Sequence, residues 1–205
     1  MRGKWMCVLG LALAFGGSAL AQDKAEVSVD YSYSRFNPSS SLADDQNLNG
    51  GGGSFAYYWK DLFGVKADFQ GYASTTTHFT VPTGNANVPA GTYSVNGNLF
   101  TYLFGPVIQP RKAKIAPYGQ ILFGAAHSNV YSNLFHVSSA AGSAPSNNAF
   151  AMAVGGGLDL KLTRHWTLRP VEADYLLTNF NSDFVSGGNR VQNNFRYAAG
   201  VTFRF

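Results

Sequence analysis

The segment Phe195-Arg196-Tyr197-Ala198-Ala199-Gly200-Val201-Thr202-Phe203-Arg204-Phe205 alternates in character residue by residue. Phe195, Tyr197, Ala199, Val201, Phe203 and Phe205 share one parity, and Asn194, Arg196, Thr202 and Arg204 share the other. A period of two is the signature of an extended strand, whose successive side chains leave opposite faces of the sheet. One face of this strand is apolar and aromatic, while the other carries two guanidinium groups. An arginine buried without a partner is costly, so the polar face predicts either water or acidic side chains opposite it.

Working back from this segment, the same pattern recurs. In Ala25 to Phe36, Val27, Val29, Tyr31 and Tyr33 oppose Glu26, Ser28, Asp30, Ser32 and Ser34. A second strand runs from about Gly50 to Trp59, with Phe55, Tyr57 and Trp59 on one face. A third, Leu62 to Ala73, sets Phe63, Val65, Ala67 and Phe69 against Lys66, Asp68 and Gln70. The fourth, about Val95 to Gln109, is nearly continuous in apolar residues and leaves its facing open, as does the fifth, about Ile115 to Ser128. In the sixth, Phe150, Met152, Val154, Leu158, Leu160 and Leu162 alternate with small residues and then with Asp159 and Lys161. In the seventh, Val171, Ala173, Tyr175 and Leu177 oppose Glu172 and Asp174. The C-terminal segment is the eighth.

The connections alternate in length. Short turns near 60–61, 110–114 and 164–165 separate long polar stretches at 37–49, 74–94, 129–148 and 179–193. Short turns at one end and long loops at the other are the asymmetry of transmembrane barrels, with the short turns periplasmic. Strands of about 10 to 14 residues suit a tilted membrane crossing better than the shorter strands of soluble sheets. The glycine runs Gly50–Gly53 and Gly155–Gly157 open no helix, so they are not phosphate loops; within strands they relieve crowding or permit curvature.

The N-terminus reads as a secretory signal peptide over residues 1–21. Arg2 and Lys4 precede an apolar run from Val8 to Phe15, and Ala19-Leu20-Ala21 is a small-x-small cleavage site. Cleavage before Gln22 removes Cys7, the only cysteine, so no disulfide or thiolate site is expected. It also removes Arg2 and Lys4, which takes the basic count from 15 to 13 against 11 acids. The excess of positive charge is then too small to suggest a nucleic-acid partner. The remaining residues, 22–205, form one domain.

Facing follows from size and charge. The polar faces carry Glu26, Asp30, Lys66, Asp68, Asp159, Lys161, Glu172, Asp174, Arg196 and Arg204, and the apolar faces carry Phe55, Tyr57, Trp59, Phe150, Tyr175, Tyr197 and Phe203. A soluble barrel would turn these aromatics inward, but an eight-stranded lumen has room for little more than its own packed side chains. The expected fold is therefore an all-β, eight-stranded antiparallel up-and-down transmembrane β-barrel, with charges inside and aromatics toward lipid.

The C-terminal strand, with Tyr197, Val201, Phe203 and the terminal Phe205, resembles the assembly signal of outer-membrane proteins. Together with the leader and four hairpins, it makes the chain similar to the small outer-membrane barrel family that includes the transmembrane domain of outer-membrane protein A. Glu172-Ala173-Asp174-Tyr175 is similar to the corresponding stretch of single-domain members. The resemblance implies a bacterial outer membrane, contact with its lipid and lipopolysaccharide, and recognition of the last strand by the barrel-assembly machinery. Because the sequence stops at Phe205, no wall-binding domain and no wall-tethering role are implied.

Two readings of the inward charges compete. In a lumen this narrow they form an ion-pair network, with Glu172 and Asp174 beside Arg196 and Arg204, and Glu26 and Asp30 across the closing seam. A conducting pore lined by the same charges needs a wider barrel. His136-Val137-Ser138 resembles the His-x-Ser pair of lipid A deacylases, and His127-Ser128 is a near miss. A nucleophilic serine also needs an acid to orient its base. Glu26, near a strand end, and Glu172, mid-barrel, are badly placed for that task. His78, His127 and His136 lack the carboxylates or thiolates of a metal centre, so neither cofactor nor metal is expected. Arg111-Lys112-Ala113-Lys114 reads as a solvated turn, the other reading being contact with anionic lipid or a periplasmic partner. The expected function is a monomeric, non-enzymatic scaffold whose long loops meet an extracellular ligand. The alternatives are a narrow channel or conduit for small apolar molecules and a lipid A hydrolase.

Overall fold

The computed structural model describes residues 24–36, 46–73, 77–81, 91–95, 98–128, 148–179 and 191–205. The leader read at residues 1–21 lies outside them, as do His136, Ser138 and most of the long polar stretches. Among the described residues ten strands are formed: β1 (Ala25–Phe36), β2 (Gln46–Tyr58), β3 (Phe63–Ala73), β4 (Thr77–Val81), β5 (Gly91–Val95), β6 (Asn98–Ile108), β7 (Ile115–Ser128), β8 (Asn148–Lys161), β9 (Trp166–Asn179) and β10 (Val191–Arg204). Eight of them close a barrel in the order β1-β10-β9-β8-β7-β6-β3-β2, and every pairing is antiparallel. The seam is a full ladder from Glu26 opposite Arg204 to Arg35 opposite Phe195. Closure leaves no unpaired strand edge, which is what a sheet surrounded by hydrocarbon requires.

Several boundaries differ from the sequence reading. The polar stretch 74–94 is not all loop, because β4 and β5 form a separate two-stranded sheet, from Thr77 opposite Val95 to Val81 opposite Gly91. Its Thr, Phe, Tyr and Val residues favour strands whatever their polarity, and Val95 belongs to this hairpin while the barrel strand starts at Asn98. β2 begins at Gln46, so the glycine run lies inside the strand rather than at its start, and Trp59 falls beyond its end. β8 and β10 likewise begin earlier than expected, at Asn148 and Val191.

β6 shows why facing was unreadable there. It alternates perfectly between buried and exposed positions, yet both faces are apolar. Leu99, Leu103 and Val107 are buried, whereas Phe100, Tyr102 and Phe104 are exposed. In this barrel large rings go outward and smaller aliphatic groups inward, as lumen size demands. The rule holds around the wall, where Phe55, Tyr57, Trp59, Phe150, Tyr175, Tyr197 and Val201 are all exposed. Tyr58, Tyr72 and Tyr118 are buried instead, and each has a use for its hydroxyl or ring inside.

The parity of β9 breaks once. Thr167 and Arg169 are buried, then Glu172, Asp174, Leu176 and Thr178 are buried, so one residue is extra. The register shifts on both sides of the strand at the same place. Ala198 opposes Glu172 and Gly200 opposes Arg169, while Leu158 opposes Val171 and Leu160 opposes Leu168. This is a β-bulge at Pro170–Val171, where a residue without an N–H costs the ladder least. Tyr197 Oη donates to the Pro170 carbonyl at 3.1 Å, which occupies an acceptor at the irregularity.

Candidate functional site

The bulge is what brings Arg169 into the lumen. Regular alternation puts residues three apart on opposite faces, so with Glu172 inside, Arg169 would face lipid. Across the bulge both point inward, and Arg169 Nη1 reaches Glu172 Oε2 at 3.2 Å. Arg169 also grips Asp159 with both sides of its guanidinium, Nε to Oδ1 at 2.8 Å and Nη2 to Oδ2 at 3.0 Å. A two-pronged pair of this kind is the strongest geometry available to Arg and a carboxylate. Arg169 therefore joins two charge clusters that strict periodicity would have kept apart.

The central cluster is built around Arg196, which is fully buried. Its Nη1 donates to Asp68 Oδ1 at 2.6 Å, its Nε to Asp174 Oδ2 at 2.9 Å, and its Nη2 to Glu172 Oε1 at 3.2 Å. Glu172 also accepts from Lys66 Nζ at 2.9 Å, from Gln120 Nε2 at 3.0 Å and from the Tyr118 hydroxyl. Gln120 bonds Asp174 at 2.8 Å, and Gln70 bonds Asp30 at 2.8 Å. The strands supply these groups from five directions: β1, β3, β7, β9 and β10. Burial of so many charges is tolerable only because each ion has partners on several sides.

Glycine makes the room. A Cβ at Gly155 would stand 2.3 Å from Asp174 Oδ1, and one at Gly157 would stand 2.7 Å from the Tyr118 hydroxyl. The run 155–157 therefore leaves the space that Asp174 and Tyr118 occupy.

The second cluster fills the turn-side end. Glu26 pairs with Arg111, whose guanidinium lies 4.1 Å from the centre of the Tyr58 ring. Arg204 Nε lies 2.8 Å from Glu26 Oε1 and its Nη2 3.9 Å from Asp159 Oδ2, and Gln109 Nε2 donates to Asp159 at 2.7 Å. Lys161 bonds the Arg111 carbonyl at the rim. Three expectations are corrected here. Arg204 meets Glu26 and Asp159 rather than Glu172 and Asp174, because β10 carries it to the level of Glu26 in the seam register. Asp30 is held by Gln70 of β3, which reaches it past Gly52 of the intervening β2, rather than across the seam. Arg111 is not solvated with its turn but folds inward; Lys112 and Lys114 stay exposed, Lys112 paired with Asp61 of the adjoining turn. Hydrogen bonding to Lys112 holds the Asp61 carboxyl below its usual range, and Asp61 raises Lys112 in return.

Sequence reasoning missed Arg169 and Arg111. With them the inward set has six acids (Glu26, Asp30, Asp68, Asp159, Glu172, Asp174) and six bases (Lys66, Arg111, Lys161, Arg169, Arg196, Arg204). Among the described residues the inward charges balance, which the ten residues read from the sequence did not. Pro170 inside a strand was the available signal for the first. The second had none, since a turn residue has no parity.

Above the charges, toward the long loops, the filling changes to Leu48, Tyr72, Leu99, Leu103, Leu122, Leu176 and the alanines of β8. On the last strand Tyr197 and Val201 face outward, and Phe203 meets Trp166 and Phe205 edge-on, each at 5.1 Å between ring centres. Phe205 N donates to the Ala25 carbonyl at 3.0 Å. His127 Nδ1 lies 2.8 Å from Asn148 Oδ1 at the loop end of β7.

A closed antiparallel barrel that is aromatic outside and ion-paired inside defines a transmembrane β-barrel. The chain belongs to the family described as the outer membrane protein beta-barrel domain, which it matches over residues 7–205. That family places it in the outer membrane of a Gram-negative bacterium. Among solved structures it is similar to OprG from Pseudomonas aeruginosa, with 14% identity, 90% of this chain and 98% of that one covered, and a TM-score of 0.56. Neisserial surface protein A is similar too, at 14% identity, 88% and 97% coverage and a TM-score of 0.54. Ail, the attachment invasion locus protein of Yersinia pestis, gives 16% identity, 90% and 99% coverage and a TM-score of 0.48. Identities this low speak to the fold alone. No curated protein matches the chain in sequence.

Proposed function

We propose that the protein is a closed, non-enzymatic scaffold of the outer membrane whose long connections form the surface that meets an extracellular ligand. The observation that carries this reading is Arg196, locked across the lumen between Asp68, Asp174 and Glu172. Ions or solutes passing through would have to break that set, and the leucine layer stands in series with it. In this orientation the short turns are periplasmic, the outward aromatic band meets lipid and lipopolysaccharide, and Phe205 with its strand is read by the assembly machinery. Both oxygens of Glu172 accept from several donors, and Glu26 is paired with Arg111 and Arg204 at the turn end, so neither is placed to orient a catalytic histidine, which supports a role without hydrolysis.

Planar-bilayer recording of the purified protein tests this. A closed scaffold gives no steady single-channel current. A steady current that changes when Glu172 is replaced by Gln would overturn the reading and favour a narrow channel. Mass spectrometry of lipid A from expressing cells, unchanged against the vector control, is the expected result for the non-enzymatic part.

A further inference from the structure

At the turn end the barrel does not close flush. A cavity of about 440 Å³ opens there, lined by seven Lys and Arg side chains and one acid, Asp61. Its size lies within the roughly 300–1,000 Å³ that ligand sites span. The charge is not spent within the fold. Asp61 is already taken by Lys112, and Glu26 behind the wall is taken by Arg111 and Arg204. Lys24, Lys60 and Arg164 line the cavity with exposed side chains and form no ion pair with a described residue. Arg204, only 3% exposed, also lines it, and its Nε and Nη2 lack a hydrogen bond of proper geometry despite their nearby carboxylates. Four cations from four separate segments thus converge on one opening with donors to spare.

We infer that this mouth binds a phosphate-bearing anion, and that its source is the headgroup of an anionic glycerophospholipid. Trp59 carries the argument for a lipid. It continues the outward row of Phe55 and Tyr57, is 49% exposed, and still lines the cavity. The opening therefore reaches the lipid-facing rim at the level of an interfacial aromatic, where phosphate groups lie. Lys24, Lys60 and Arg164 hold the phosphate from the rim and Arg204 from within. The periplasmic leaflet as the supplier rests on the orientation proposed above; the binding itself does not.

The test uses purified full-length protein in detergent, titrated with phosphatidylglycerol or phosphatidylcholine of the same acyl chains and read by native mass spectrometry. Wild type is expected to retain phosphatidylglycerol about a hundredfold better, and the triple variant Lys24→Gln, Lys60→Gln, Arg164→Gln to lose that preference, since each of the three cations near a headgroup contributes about one fivefold step. Lys114→Gln, a basic change outside the cavity, keeps it. Equal retention of the two lipids by wild type, or an undiminished preference in the triple variant, overturns the proposal. Inorganic phosphate that displaces the lipid, with weaker displacement in the variant, upholds the anion site and assigns it to a free phosphate species instead. Should the triple variant lose its heat-modifiable gel shift, the single changes at Lys60 and Arg164 give the same reading stepwise. Because retention is measured on purified protein, a barrel facing the other way would leave this result intact and fail only in surface labelling of whole cells.

Discussion

The lumen has two halves that solve the same packing problem in opposite ways. Toward the turns it is filled by salts, with Arg196, Arg169 and Arg204 each set among carboxylates. Toward the loops it is filled by Leu48, Leu99, Leu103, Leu122 and Leu176 with alanines between them. The apolar half is tolerant, because a leucine needs only contact and its neighbours can relax around a loss. The charged half is not, because removing one ion strands the others in a low-dielectric interior. Even the loop-side half is lopsided: Ser32, Ser34, Thr178, Gln192 and Asn194 are buried there on β1, β9 and β10. The side built by β2, β3, β6, β7 and β8, with Leu176, is apolar apart from Thr101.

Arg196→Ala should show the contrast at its largest. It leaves Asp68, Asp174 and Glu172 buried beside one another with Lys66 and Arg169 as remaining cations, and should cost about 3–5 kcal/mol. The midpoint of urea unfolding in vesicles measures it, and a loss under about 1 kcal/mol would mean that water replaces the guanidinium freely. Leu103→Ala, at a fully packed position of the other half, should cost about 3 kcal/mol, in the middle of the range for truncating a buried leucine. It should also leave the bilayer current at zero, since the ionic layer still stands below. A current in Leu103→Ala alone would show that the leucines, and not Arg196, make the seal.

Tyr118→Phe is a smaller test inside the charged half. It removes one donor to Glu172 while leaving Lys66, Gln120, Arg169 and Arg196 in place. A redundant network should lose only about 1 kcal/mol, the usual net worth of one hydrogen bond. A loss as large as that of Arg196→Ala would show that the hydroxyl, and not the cations, keeps Glu172 in position. The ring itself stays, so the Arg169 guanidinium keeps its 4.5 Å contact with the aromatic face.

Most of the barrel was legible because polarity and periodicity agree along β1, β3 and β10. Where they part company the sequence went silent for physical reasons. β6 is apolar on both faces, so only ring size separates lipid from lumen, and size is not a polarity signal. β9 changes parity at Pro170–Val171, so a reading anchored on Glu172 sends Arg169 the wrong way. Arg111 sits in a turn, where direction is set by the partner it finds, here Glu26 and the Tyr58 ring. The inward charges were identifiable as a class, whereas their pairing was not, because pairing depends on strand register and on the residues opposite across the lumen. The hairpin of β4 and β5 was hidden by the Gly and Pro residues between its strands, which mark a turn and say nothing of what flanks it.

The smallest effect belongs outside both halves, at the exposed pair Asp61–Lys112 that joins two neighbouring turns. Lys112 depresses the Asp61 carboxyl, so whatever the pair contributes exists above the ordinary carboxylate pKa and is lost as pH falls through the lowered one. Both side chains stand in water, where salt and solvent screen the attraction. The turns are held without it, through Gln109 N to the Leu62 carbonyl at 2.9 Å and Arg111 N to the Asp61 carbonyl at 3.1 Å. Asp61→Asn should therefore convert from folded to unfolded gel band at the wild-type temperature, both near neutral pH and in mild acid. A variant that melts early near neutrality but matches wild type in acid would show that this exposed pair carries weight, and that the contrast between paired charges inside and outside the barrel is weaker than burial implies.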